Sequence, residues 1–122
     1  MKTLAALKVL VVEDEALVSM LVEDMLGDLG CEVVGPAAEI EEALRLAGSA
    51  EIDAALLDVN LGGRPIFPVA DALKARGVPF AFASGYGEAG LTEPHKGSPV
   101  LQKPFREADL RRVLEGLAAQ VA

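Results

Sequence analysis

Five positions carry side chains whose types suit phosphoryl chemistry when they are brought together: the acidic pair Glu13 and Asp14, then Asp58, Ser84 and Lys103. Each stands at or just after the end of a short apolar run. Three carboxylates gathered in one place repel one another strongly unless a cation or a lysine neutralises them. Lys103 is one such partner. A hard, oxygen-preferring ion such as Mg²⁺ is the other, because two or three carboxylates, a backbone carbonyl and water make up its preferred shell. Zinc is not favoured, since His95 and Cys31 are the sole residues of their types and do not form a ligand set. With the ion in place, Asp58 has the chemistry of a nucleophile toward phosphorus. Lys103 would offset charge on the equatorial oxygens, and the Ser84 hydroxyl would donate to one of them.

These residues are useful only if the fold collects them. Short apolar runs alternate with stretches of helical periodicity about five times along the chain, the pattern of a doubly wound α/β domain. The expected strands are Lys8 to Val12, Cys31 to Gly35, Ala54 to Val59, Pro79 to Ser84 and Val100 to Gln102. Three are continuously apolar, as strands buried on both faces should be. Val18, Leu21, Val22, Met25 and Leu29 predict one amphipathic helix, fraying at Gly27 and Gly30, and Ile40, Ala43, Leu44 and Ala47 a second, ending near Gly48. Pro68 suits the first turn of a third helix carrying Val69, Ala72 and Leu73 and stopping at Gly77. Leu110, Val113, Leu114, Leu117 and Val121 mark the last. The stretch from Gly85 to Ser98, with four glycines and Pro94, is weak as a helix and reads as a mobile connection or a short irregular one. In an open sheet of this kind ligands bind at the carboxyl ends of the strands, where all five chemical positions fall.

Composition narrows the function. The 122 residues fit one domain, taken as 1–122, with a core of aliphatic side chains and alanine, since Trp is absent and aromatics are few. Eleven Lys and Arg against nineteen Asp and Glu leave a net charge of −8, which disfavours nucleic acid and anionic lipid as partners. Lys8 interrupts the apolar N-terminal run and acidic residues follow, so no signal peptide is expected, and no stretch approaches membrane-spanning length. A lone cysteine suits a reducing cytoplasm, with Cys31 as a small apolar filler.

The motifs VVEDE after the first strand, LLDVNL around Asp58, FASGYG at Ser84 and QKPF around Lys103 resemble, over the full length, the receiver domain of two-component response regulators. The resemblance implies a five-stranded parallel sheet in the order 2-1-3-4-5 flanked by helices. It implies that Glu13, Asp14, Asp58 and the backbone carbonyl of Asn60 hold Mg²⁺, and that Asp58 accepts phosphate from a sensor histidine kinase or histidine phosphotransfer protein. Ser84 and Lys103 then match the family's hydroxyl and lysine. Such a domain is not an enzyme in the ordinary sense: it phosphorylates itself from a donor, loses the phosphate slowly, and signals through a homodimer or a downstream protein. The chain departs from the common pattern in three places. Glu13 stands where Asp is more frequent, LGGRPIFP follows Asp58 in place of the usual residues, and Val100 occupies the position of the switching Tyr or Phe. FASGYG resembles a subgroup of often stand-alone receivers in which this stretch and its tyrosine, here Tyr86, replace that switch.

Plainer readings stand beside these. The run from Glu13 to Glu15 suits the acidic first turn of a helix, Asp58 a turn, Ser84 a helix N-cap, Lys103 a solvated loop, and Tyr86 and His95 an exposed surface. Among rival functions, a nucleotide-binding enzyme would want glycines where Glu13 and Asp14 stand. A phosphohydrolase would want a second acid where Asn60 stands. Two further alternatives are an adaptor that binds partners without phosphorylation and a receiver cut from a longer regulator. With no output domain expected after the last helix, a stand-alone phosphorelay intermediate, phosphate sink or kinase modulator is the leading expectation.

Overall fold

The structure, a computed structural model, describes residues 4–85 and 98–121, and at Asn60 the backbone alone. In chain order the elements are β1 (Lys8–Val12), α1 (Ala16–Asp28), β2 (Glu32–Ala37), α2 (Ile40–Ser49), β3 (Ala54–Asp58), β4 (Asn60–Leu61), β5 (Arg64–Pro65), α3 (Phe67–Ala75), β6 (Phe80–Ser84), β7 (Val100–Gln102) and α4 (Glu107–Ala118). Five strands pair in parallel in the order β2-β1-β3-β6-β7, the expected doubly wound sheet, and β4 and β5 form a separate antiparallel pair.

Side chains alternate across the sheet with the period of two that a strand imposes. Val9 and Val11 of β1 face a layer built from Val22 and Leu26 of α1 and Leu110, Leu114 and Leu117 of α4. Leu10 and Val12 face the opposite layer, with Ile40, Ala43 and Ala47 of α2 and Val69, Ala70 and Leu73 of α3. Both faces of the sheet are therefore dry, which is why its inner strands lack polar alternation. α1 and α3 end alike: Cys31 N–H reaches Leu26 O and Gly30 N–H reaches Gly27 O, while Val78 N–H reaches Leu73 O and Gly77 N–H reaches Lys74 O. This is the Schellman closure, with a left-handed glycine satisfying the last carbonyls.

Several expectations need correction. β2 does not end at Gly35 but runs on to Ala37 through a bulge, where the register with β1 shifts between Leu10 and Val12. Gly35 makes this possible: its φ is +94°, and a Cβ there would lie 2.8 Å from the Ala37 nitrogen. Leu21, expected on the inner face of α1, is 58 % exposed beside Leu17 and Met20, while Ser19 is buried. α4 stops at Ala118, short of Val121. The expectation for the stretch from Gly85 to Ser98 lies almost wholly outside the described residues.

Phe82 is fully buried, with the rings of Phe80 and Phe67 edge-on to it at centroid distances of 5.4 and 5.8 Å. Phe82→Ala should cost about 3–5 kcal/mol in urea-induced unfolding, the usual loss for an aromatic ring removed from a core. A loss below about 1 kcal/mol would show that the ring is not packed as described.

Candidate functional site

The strand ends converge as their registers require. β1 continues to Glu13, whose N–H donates to the Ala37 carbonyl at 2.9 Å and so clamps the acidic pair to the end of β2. Asp58 closes β3 opposite Ala83 of β6, and the next residue, Val59, donates to the Ala83 carbonyl at 3.1 Å. Lys103, just past β7, donates its backbone N–H to the Ser84 carbonyl at 2.9 Å. Each chemical side chain therefore leaves the sheet from a hydrogen-bonded position.

One carboxylate oxygen from each of Glu13, Asp14 and Asp58 lies within 4.8 Å of the others. The Lys103 ammonium is 2.7 Å from Glu13 Oε1 and 3.5 Å from Asp58 Oδ1. The Glu13 side chain is 5 % exposed and that of Asp58 12 %, so little water intervenes. The second oxygen of Glu13 accepts from the Glu15 N–H at 3.1 Å, and Asp14 Oδ2 accepts from the Gly62 N–H at 2.9 Å. Ser84, 3 % exposed, occupies the end of β6.

The charges explain the protonation states. Burial pushes the Lys103 ammonium toward neutrality, but its hydrogen bond to Glu13 and the charges of Asp58 and Glu13 outweigh burial and raise its pKa, so it stays charged. Burial likewise opposes ionisation of Asp14, yet the Gly62 N–H and neighbouring hydrogen bonds prevail and hold its carboxyl below the usual range. Among the described residues, three acids against one lysine leave an excess of negative charge. Like charges about 4 Å apart repel by roughly 4 kcal/mol at the effective dielectric of such a site. An all-oxygen donor set of this charge suits a hard divalent cation.

The neighbouring surface is apolar. A cleft of about 270 Å³ beside the lysine is lined by Val18, Leu21, Val22, Met25, Lys103, Pro104 and Phe105. Leu17 (77 %) and Met20 (58 %) are further exposed apolar side chains of α1. A comparable cavity of about 310 Å³ lies at the opposite end of β6, around Val78, Pro79 and Pro99, and among the described residues its sole charged lining residue is Lys74. Among the described residues that cavity has no cluster of groups able to do chemistry.

Of the residues singled out in the sequence, Glu13, Asp14, Asp58 and Lys103 meet directly and Ser84 stands at the adjoining strand end. The Asn60 backbone follows Asp58 by two residues and pairs with Pro65. Tyr86 and His95 lie outside the described residues. Val100 is half-buried on β7 opposite Phe82 and packs against the α2–α3 layer, an aliphatic side chain where an aromatic rotamer exchange is not available. Cys31 Sγ meets the Leu4 carbonyl at 3.4 Å, and burial pushes its thiol pKa up, consistent with an inert filler. Sequence reasoning missed the Gly62 amide. Its signal was available, because Gly-Gly between two extended residues is a hairpin turn.

Three comparisons bear on this site. The family model for the response regulator receiver domain matches residues 9–115. The phyllosphere-induced regulator PhyR of Methylorubrum extorquens is 33 % identical over 113 residues, covering 89 % of this chain and 42 % of PhyR. The chain spans about half the length of the curated relatives it matches. Among solved structures, SdrG from Sphingomonas melonis superposes with a TM-score of 0.82 at 39 % identity, covering 95 % of this chain and 98 % of SdrG. The receiver domain of the sensor histidine kinase PA1611 from Pseudomonas aeruginosa, solved with a magnesium ion coordinated in its active-site cleft, gives 0.79 at 27 % identity over 94 % of this chain and 99 % of that one.

Proposed function

Because the chain belongs to the response regulator receiver domain family, we propose that Asp58 is its phosphoacceptor, that Lys103 and Ser84 attend the transferred group, and that the acidic cluster holds Mg²⁺. The family assigns the role of phosphoaccepting receiver in two-component signalling. The observation that carries the residue-level reading is the convergence of three carboxylates within 4.8 Å of one another on a lysine that bridges Glu13 and Asp58.

In this reading an Asp58 oxygen attacks phosphorus of a phosphohistidine donor, an O–P bond forms as the N–P bond breaks, and the leaving imidazole takes its proton from solvent. Lys103 swings a short distance from the Asp58 carboxylate onto a phosphoryl oxygen and keeps Glu13 as its second partner. The Ser84 hydroxyl donates to another oxygen of the same group. Glu13, Asp14, Asp58 and the Asn60 carbonyl would hold Mg²⁺, which supplies the remaining positive charge around the transferred phosphoryl group. The test is to incubate the protein with Mg²⁺ and acetyl phosphate, reduce the acyl phosphate with borohydride, and map the modified residue by mass spectrometry. Modification at Asp58 is expected. Absence of uptake, or modification elsewhere, overturns the assignment.

The donor must bring its phosphohistidine in line with Asp58, so it necessarily covers the rim of the site. That rim is the apolar cleft between α1 and the Lys103–Phe105 segment, which suits a helical surface of a histidine kinase or phosphotransfer protein. Leu21→Asp should slow phosphotransfer from a cognate histidine donor at least tenfold, the effect of about 1.4 kcal/mol, and leave uptake from acetyl phosphate unchanged. Equal slowing with both donors would place the defect in the site rather than in docking. The net charge of −8 favours output through protein contact over nucleic acid. The run FASGYG, which contains Tyr86, supports an output route that does not pass through position 100.

A further inference from the structure

We infer that the Gly62 amide, presented by the two-glycine turn between β4 and β5, is the positioning group that holds Asp14 in place as a cation ligand. The inference rests on the proposed Mg²⁺ site and concerns how this chain, with LGGRPIFP after its phosphoacceptor, keeps that site in order.

Asn60 pairs with Pro65 and Leu61 with Arg64, which leaves Gly62 and Gly63 as a two-residue loop. Their φ angles, +58° and +82°, are those of the turn whose twist matches a hairpin and which nearly every side chain disfavours. The first residue of such a loop directs its N–H away from the ladder, and Asp14 Oδ2 receives it at 2.9 Å. The turn is held independently of that contact. Leu61 (2 % exposed) and Ile66 (0 %) bracket it in the core, the Ile66 N–H donates to the Val59 carbonyl at 3.0 Å, and Arg64 pairs with Glu41 of α2.

Asp14 is the opposite case. Glu13 and Asp58 are largely buried and gripped by Lys103, whereas Asp14 is exposed and no ion pair to it is found among the described residues. Left alone, its carboxylate would turn outward, away from two like charges. The Gly62 amide instead fixes Asp14 Oδ2 at 2.9 Å, and the carboxylate so held contributes an oxygen to the 4.8 Å cluster with Glu13 and Asp58. Partners that orient a metal ligand typically govern affinity by about 10- to 100-fold.

A Cβ at position 62 would meet no atom within 4 Å among the described residues, so a substitution there acts first through backbone conformation. Gly62→Val places a β-branched residue at positive φ, which it resists, and should weaken Mg²⁺ binding by about tenfold in isothermal titration calorimetry. Gly62→Asn, a residue that tolerates this conformation, should recover most of the lost affinity. A Gly62→Val protein that binds Mg²⁺ as tightly as the parent overturns the inference while leaving the cation site standing; a parent protein that binds no Mg²⁺ overturns both. Amide hydrogen exchange supplies a readout that does not depend on the variants at 62: the Gly62 N–H should be protected in the parent and exchange faster in Asp14→Ala. Equal exchange in the two proteins would show that the hydrogen bond does not form.

Discussion

Replacing Asp58 with Asn should abolish acyl phosphate formation and at the same time make the metal-free domain harder to unfold. The first effect follows from chemistry: a neutral amide is a poor nucleophile toward phosphorus and cannot form the acyl phosphate. The second follows from charge. Asp58 shares a 4.8 Å cluster with Glu13 and Asp14, and a single lysine at 3.5 Å offsets only part of the repulsion. Each close pair of like charges amounts to roughly 4 kcal/mol at an effective dielectric near 20, against one attraction of similar size; solvent screens the exposed Asp14 and reduces the balance, so a net gain of about 1–2 kcal/mol is expected for the Asn variant. In a domain of this size that raises Tm by several degrees.

Mg²⁺ should close the gap. An ion bound only by the native state stabilises it by about 2.7 kcal/mol at one hundred times its Kd. The parent, which keeps the full carboxylate set, should gain that stabilisation, whereas the Asn variant should gain much less. Melting curves taken with and without Mg²⁺ therefore form the check. An Asn variant less stable than the parent in metal-free buffer, or an equal response of both to Mg²⁺, would mean that the acids do not act as one repelling cluster.

How much of this was legible beforehand depended on whether a residue ended a clear pattern. Asp58 follows Ala54 to Leu57, an unbroken apolar run, and Lys103 follows Val100 to Gln102, so both the strand and the polar residue at its end stood out. The inner face of α1 did not. From Ala16 to Val22 nearly every residue is apolar, so the helical period is present without a phase, and Leu21 was placed inside where the structure buries Ser19. The β4–β5 hairpin escaped for another reason. Strands of two residues have no period, and the one available sign, Gly62–Gly63, pointed to a turn without saying which acid its amide would meet. The extension of β2 across Gly35 and Pro36 was hidden because proline ordinarily closes a strand, and only the left-handed glycine before it lets the chain bulge and continue.

Lys103→Gln should damage stability and rate together, and a second substitution should separate its two consequences. The ammonium is 2.7 Å from a Glu13 carboxylate that is only 5 % exposed, so removing it strands a buried charge, a loss of about 3–5 kcal/mol in unfolding free energy. It also removes the cation that we propose meets the transferred phosphoryl group, which should slow uptake from acetyl phosphate by about 10²- to 10³-fold. Glu13→Gln added to Lys103→Gln removes the stranded charge, so the double variant should regain most of the stability and none of the rate. Recovery of both would mean that the slow rate came from a distorted site rather than from missing charge; recovery of neither would mean that Glu13 is not the lysine's main partner. The pH dependence has a definite sign. The folded state raises the lysine's pKa above its ordinary 10.5, so the pair's contribution is complete below that value and is lost as pH climbs through the raised one. The stability difference between the parent and Lys103→Gln should accordingly stay level across neutral pH and narrow only in strongly alkaline solution.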